Sequence, residues 1–155
     1  IVGFPGETEA DADATLEVLE EARFDGAFTF VYSSRPGTAA AELDHLAVPH
    51  EVSVERMERL RAVIERSSRQ RNEARIGRVE EVLVEGPSKR DPAKLTGRTR
   101  QNKLVHFAPD GATGLRPGAY ATVRVVSAGL SSLQGELVEV LAAPVHRRRI
   151  PLAVG

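Results

Sequence analysis

The sequence predicts an α+β chain in two parts: a strand–helix–strand unit backed by a long helix, then a small antiparallel β-barrel. Three observations carry this. The apolar Ile1-Val2 runs into Gly3-Phe4-Pro5-Gly6 and a capped amphipathic segment. Apolar residues recur at three- and four-residue steps between about residues 51 and 75, and from Arg78 onward the period changes to two.

Taken in order, Thr8-Glu9-Ala10-Asp11 places a hydroxyl cap and an acid three positions on, with Leu16, Leu19 and Ala22 on one face. This predicts a helix over about 9–23, ended by Asp25-Gly26. Residues 27–32, Ala-Phe-Thr-Phe-Val-Tyr, are β-rich and complete a strand–helix–strand unit whose strands should run parallel. Residues 33–38 form a turn at the carboxyl end of the second strand, the edge where α/β proteins place ligand loops. Residues 39–49 read as a connector. Met57, Leu60, Ile64 and Ser67 form a narrow stripe on a long helix, with Gly77 as its stop. Its seven arginines from Arg56 to Arg75, set among five glutamates, read as i,i+4 ion pairs on a solvated face.

The second part predicts strands over residues 78–84, 97–107, 119–126 and 133–141, separated by Gly/Pro/Asp clusters. Four or five short strands in about 65 residues suggest an OB-like barrel, with Phe107 and Tyr120 as core or semi-buried fillers. The expected domains are 1–76, 77–141, and a poorly ordered tail over 142–155 that includes Arg147, Arg148 and Arg149.

Composition removes several chemistries. The 155 residues include no cysteine, so this segment forms no disulfide and supplies no thiolate to a zinc or iron–sulfur site. The four histidines are scattered and never at i,i+4 spacing, which argues against a metal site. No apolar run approaches the ~18 residues of a membrane span, and a cytosolic, monomeric protein without membrane contact is expected. The net charge of −1 hides a split: residues 1–50 carry ten acids and two bases, the remainder twelve acids and nineteen bases. Such asymmetry points to nucleic-acid contact by the basic part. Residues 87–107 concentrate it, with Lys89, Arg90, Lys94, Arg98, Arg100 and Lys103 against the single acid Asp91. Phosphates of RNA would pair with these cations, while Asn102, His106 and Phe107 could add hydrogen bonds or stacking.

Two motifs carry a family resemblance. Ile1-Val2-Gly3-Phe4-Pro5-Gly6-Glu7-Thr8, followed by Phe28-Thr29-Phe30-Val31-Tyr32-Ser33 and Arg35-Pro36-Gly37-Thr38, resembles the late barrel of radical S-adenosylmethionine methylthiotransferases. Val84-Glu85-Gly86-Pro87-Ser88-Lys89-Arg90-Asp91 and Thr96 through Phe107 resemble the TRAM domain that ends those enzymes. The resemblance implies that residues 1–76 are part of a (βα) radical S-adenosylmethionine barrel with its linking helix, and that the chain is the C-terminal part of a larger enzyme. It also implies that the parent adds a methylthio group to a prenylated adenosine of tRNA beside the anticodon. S-adenosylmethionine and two [4Fe-4S] clusters would serve that reaction, with the cluster cysteines outside this chain.

On this resemblance Ile1, Val2 and Gly3 fall near the cofactor's adenine, and Ser33 and Arg35 stand at the mouth of the cavity. Lys89, Arg90, Lys94, Arg98, Arg100, Asn102 and Lys103 become the RNA-binding set. Ser34 and Ala40 depart from the prolines expected there. A sister enzyme acting on a ribosomal protein is an alternative, but its loop carries Glu-Gly-Thr where this chain has Arg35-Pro36-Gly37-Thr38. A stand-alone, non-catalytic RNA-binding barrel is another, and it leaves the strand–helix–strand start without a use. A half-barrel lacks its neighbours, so residues 1–50 in isolation should show no cooperative unfolding transition in thermal circular dichroism; a sharp two-state melt would contradict the half-barrel reading.

Overall fold

The computed structural model describes residues 1–144, and the arginine-bearing end of the expected tail lies outside them. The chain divides into two compact units, one comprising Ile1–Arg71 and the other beginning at Asn72.

In the first unit α1 spans Glu9–Ala22, and its start is a complete capping box. Asp11 N–H donates to Thr8 Oγ1 at 3.2 Å, and Thr8 N–H donates to Asp11 Oδ2 at 2.9 Å. The helix stops one residue earlier than expected, because Arg23 itself turns left-handed with φ 50° and donates its N–H to Leu19 O. A 3₁₀ helix, Ala39–Leu46, occupies the expected connector, with Thr38 as its cap. The helix α2 runs from His50 to Glu73. Val2, Met57 and Leu60 form the small core of this unit, with Leu16, Leu19 and Ile64 packed around them.

Two expectations change here. The β-rich run over 27–32 is not a strand: among the described residues it forms one parallel bridge, Val2 to Val31, through Val2 N–H to Phe30 O and Tyr32 N–H to Val2 O. Phe28 is 96% exposed and Phe30 is also exposed. An extended segment with hydrogen bonds at a single residue pair has no ladder to extend, so its β propensity goes unused. The arginines of α2, in turn, do not pair mainly along their own helix. Among the described residues the one such contact is Arg59 to Glu55 at 3.4 Å, while Arg56 reaches Glu7 at 2.8 Å and Glu9 at 3.1 Å, and Arg66 reaches Glu20 at 2.7 Å. Arg59 also pairs with Glu9 and Asp13. Hydrogen bonding to Arg59, then to Arg56, holds the Glu9 carboxyl below its usual range. The pairs therefore fasten α2 to α1, and Arg56 does so while buried.

The second unit is a closed five-stranded barrel: β1 Val79–Pro87, β2 Leu95–Thr99, β3 Leu104–Phe107, β4 Tyr120–Ala128 and β5 Leu133–Ala142, in the order β1-β2-β3-β5-β4. The run expected as one strand over 97–107 is two, joined by a turn in which Asn102 adopts φ 59°. The barrel is not wholly antiparallel either. β3 and β5 pair in parallel, Val105 to Leu133 and Phe107 to Gly135, and this seam closes the cylinder. Alternation fills its interior with Val82, Val84, Val105, Phe107, Val123, Val125 and Leu133, all nearly inaccessible to solvent.

Closure brings backbones close at Gly97 on β2. A Cβ there would lie 2.3 Å from Val82 Cγ1 and 2.6 Å from the Leu83 carbonyl oxygen, and the latter cannot move without breaking the β1–β2 ladder. Gly97→Ala should therefore cost the barrel about 1–3 kcal/mol as overpacking, read as a lower melting temperature of the intact chain; an unchanged melt would contradict this packing.

Candidate nucleic-acid interface

The basic segment is organised by a loop and two strand faces. In the β1–β2 loop, residues 88–94, Ser88 is buried and its Oγ accepts from Arg90 N–H at 3.3 Å and Asp91 N–H at 3.4 Å. Asp91 Oδ1 accepts from Ala93 N–H at 3.1 Å, and its carbonyl accepts from Lys94 N–H. The lone acid of this run thus shapes the loop, and Lys89 and Arg90 stand exposed upon it. On β2 and β3 the residues alternating with the buried Gly97, Val105 and Phe107 are Thr96, Arg98, Leu104 and His106, which form the outer face. Register pairs Thr96 with His106 and Arg98 with Leu104.

The β4–β5 loop completes the surface. Gly129 N–H donates to Ser132 O at 2.8 Å, and the Asn72 side-chain amide holds the carbonyls of Gly129 and Leu130 at 2.8 and 3.0 Å. Lys94 Nζ donates to Gln134 Oε1 at 3.1 Å, tying the first loop to β5. Between the two loops and the β2–β3 face lies a cavity of about 470 Å³ whose polar lining includes Lys89, Arg90, Thr96, Arg98, His106 and Ser132. The size falls within the ~300–1,000 Å³ of small-molecule pockets. Burial first, then the charges of Lys94 and Arg90, push the His106 imidazole below its ordinary range, so at neutral pH it is an uncharged donor–acceptor among cations.

Of the seven residues expected to bind RNA, Lys89, Arg90 and Arg98 line this cavity and Lys94 braces it. Asn102 is exposed in the β2–β3 turn, where its carbonyl accepts from Arg98 Nη1 at 3.2 Å. Arg100 is exposed and pairs with Glu81 at 2.9 Å. Lys103 stands apart: it is only 8% exposed, and its N–H donates to Thr99 Oγ1, because the tight turn folds it inward. Phe107 is core as expected. Tyr120 is not a filler but 43% exposed, since it sits at an outward register position on β4. Ser131 and Ser132 had no signal in the sequence beyond a loop composition.

The residues expected at a cofactor edge lie in the first unit. Val2 is buried at its bridge, whereas Ile1, Ser33 and Arg35 are exposed. Gly3 is buried with φ +72°, and its N–H donates to Glu7 Oε2 at 2.7 Å; a Cβ there would stand 2.3 Å from Ser53 Oγ. Packing against α2 therefore demands this glycine. The amides of Gly3, Glu7, Thr8 and Asp11 are engaged within the turn and cap. Without a thiol the chain does not fit an iron–sulfur cluster, and among the described residues no His/Cys/Asp/Glu group is placed to hold a metal. One buried polar atom here was missed by sequence: among the described residues the Tyr32 hydroxyl has no hydrogen-bond partner, and its ring meets Phe4 edge-on at 5.2 Å.

Residues 73–138, which include most of this barrel, match the TRAM domain family. Along nearly its whole length the chain resembles proteins named tRNA-2-methylthio-N(6)-dimethylallyladenosine synthase. It is 44% identical to that of Janthinobacterium sp. (strain Marseille) over 139 residues, which is 89% of this chain and 31% of the relative. It is 46% identical to that of Ralstonia nicotianae over 143 residues, 90% and 31% respectively, and 47% identical to that of Burkholderia thailandensis over 139 residues, 89% and 30%. The chain belongs with this family and carries the TRAM domain, and it spans about a third of the length of these relatives.

His106 offers a direct check on the pocket. Because its pKa lies below 6.5 in the fold, the uncharged form is the stabilising one; that contribution is complete above pH 6.5 and falls away as the pH drops toward the folded value. In NMR titration of the intact chain, Lys94→Ala should move the His106 midpoint upward toward 6.5, and a midpoint unmoved by the substitution would show that Lys94 does not face the ring.

Proposed function

We propose that this chain is the RNA-holding part of a tRNA methylthiotransferase, and that its barrel grips tRNA so that an adenosine beside the anticodon reaches an active site completed by residues outside the chain. The observation that carries the reading is the convergence of the β1–β2 loop, the β2–β3 outer face and the β4–β5 loop on one basic cavity. The loops and sheet face of small OB-like barrels bind oligonucleotides at this position. Lys89, Arg90 and Arg98 meet phosphates, with Lys94, Arg100 and Asn102 flanking them, and neutral His106 with the loop hydroxyls offers hydrogen bonds to a splayed base. The names of the relatives supply the substrate class, tRNA carrying N(6)-dimethylallyladenosine.

In the whole enzyme, S-adenosylmethionine and two [4Fe-4S] clusters would supply the radical and sulfur chemistry. In this reading residues 1–76 belong to the radical S-adenosylmethionine barrel, and Ile1, Val2, Gly3, Ser33 and Arg35 contribute one edge of the cofactor cavity. Residues 77–141 form the RNA-binding domain. The chain alone holds tRNA without modifying it. Cytosolic placement and a monomeric state belong to the same proposal; among the described residues no helix is long and apolar enough to cross a membrane.

An anticodon stem-loop RNA should bind the intact chain with an affinity that falls steeply as salt rises, because each neutralised phosphate releases counterions. Replacing Lys89 and Arg90 together with alanine should weaken binding across RNA sequences and flatten the salt slope by about one per lost phosphate contact. Binding that is indifferent to salt would overturn the electrostatic account.

A further inference from the structure

A second open groove lies on the barrel surface, outside the pocket, and its floor is a single row across four strands. Arg98 on β2 pairs with Leu83 on β1, Leu83 with Tyr120 on β4, and Tyr120 with Ala142 on β5. Side chains directly opposite one another in a ladder share a face, so these residues stand together on the outside of the barrel. Leu83, Tyr120 and Leu141 are all exposed there, and Arg98 and Arg100 flank them around a volume of about 640 Å³. Arg98 borders both this groove and the basic cavity.

We propose that the Tyr120 groove is a stacking subsite for an unpaired RNA base, placed so that one strand passes from the basic cavity over Arg98 and lays its next base on the phenol ring. The inference rests on the RNA-holding reading and extends it to a site that reading does not need. Three features select a nucleotide as occupant. An exposed ring flanked by aliphatic side chains offers a flat apolar platform, which suits any base because every base has a π-face. Two guanidinium groups at its margin match the phosphates on either side of that base. The groove is also continuous with the cavity through one shared side chain. The acid present, Glu81, is committed to Arg100 in an exposed pair at 2.9 Å, an interaction weak enough to yield to a phosphate.

The test uses the intact chain and a single-stranded RNA of about eight nucleotides, within the usual site size of such barrels. Tyr120→Ala should weaken binding about tenfold, and Tyr120→Leu should do the same while preserving the apolar packing, which separates loss of the ring from loss of the fold. Tyr120→Trp should retain affinity, and because the chain has no other tryptophan its fluorescence should be quenched as RNA binds. Undiminished affinity in Tyr120→Ala, alongside a loss in the Lys89→Ala, Arg90→Ala double variant, would overturn the stacking subsite and leave the cavity standing. Self-association of the wild-type chain that Tyr120→Ala abolishes, with RNA affinity unchanged, would likewise overturn it in favour of a contact between copies. Failure of the wild type to bind RNA at all would overturn both readings.

Discussion

The parallel pairing of β3 with β5 is the constraint on which the basic surface depends. Strands β1, β2 and β3 alone would be a meander with two open edges, and its loops would have no fixed relation to one another. When Val105, His106 and Phe107 take Leu133, Gln134 and Gly135 as partners, the edges vanish and the β4–β5 loop is carried to the side of β3 where the β1–β2 loop already lies. The side chain of Lys94 reaching Gln134 is a consequence of that closure. So is the setting of His106, which stands between Thr96 on one neighbour and Gln134 on the other, close enough to Lys94 and Arg90 for their charges to disfavour its protonation. Closure also explains the glycines. Gly97 and Gly135 lie where a Cβ would strike Val82 and Val123 respectively, so small residues are required where the curved sheet presses backbone against packed valines.

The first unit is held by a different balance. Its apolar core is small, and much of the contact between its two helices is ionic. Arg56 is 6% exposed and Glu7 11%, so their pair is largely desolvated, and Arg56 Nη1 also donates to the Glu7 carbonyl at 3.1 Å. A charge buried this way is tolerated only when its donors are met, and here Glu7 and Glu9 meet them. The same Glu7 carboxylate accepts from Gly3 N–H, so one acid links the strand-like start, the turn and α2. This explains why the Gly3-to-Thr8 segment, a glycine turn leading into a helix N-terminus, has its Gly3, Glu7 and Thr8 amides engaged within the protein.

Legibility followed the range of the interaction. Local signals were readable: the Thr8–Asp11 capping box, the stop of α2 before Gly77, and the change of period at Arg78 depend on residues a few positions apart. The TRAM motif was legible as a string, and with it the barrel and its basic run. The single-bridge fate of residues 27–32 was not, because β propensity in Phe28, Thr29 and Phe30 says nothing about whether a partner strand is present. Nor was the parallel seam, since strand order is a property of pairing and not of pattern. Lys103 and Tyr120 were exchanged for the same reason: a lysine in a basic run reads as solvent-facing and a tyrosine in a strand as filler. The left-handed turn at Asn102 and the register of β4 invert both.

Carboxylates beside the basic residues complete the electrostatic argument. Glu85 lies 3.5 Å from Arg98 Nε, and Glu81 is 2.9 Å from Arg100, so the guanidinium groups facing the cavity and the groove are not bare. Exposed pairs of this kind contribute about 0–1 kcal/mol, too little to compete with a phosphate that also releases counterions. Such pairs hold the two arginine side chains beside β1, which on the proposed reading would lower the entropic cost of ordering them on binding. Lys89 and Arg90 stand exposed on the loop and, among the described residues, pair with neither Glu85 nor Glu81; on the proposed reading they would meet the backbone of an entering strand. On the proposed reading the surface would divide its labour: the exposed loop cations would attract a strand, and the braced pair on β2 and the following turn would set the register between cavity and groove.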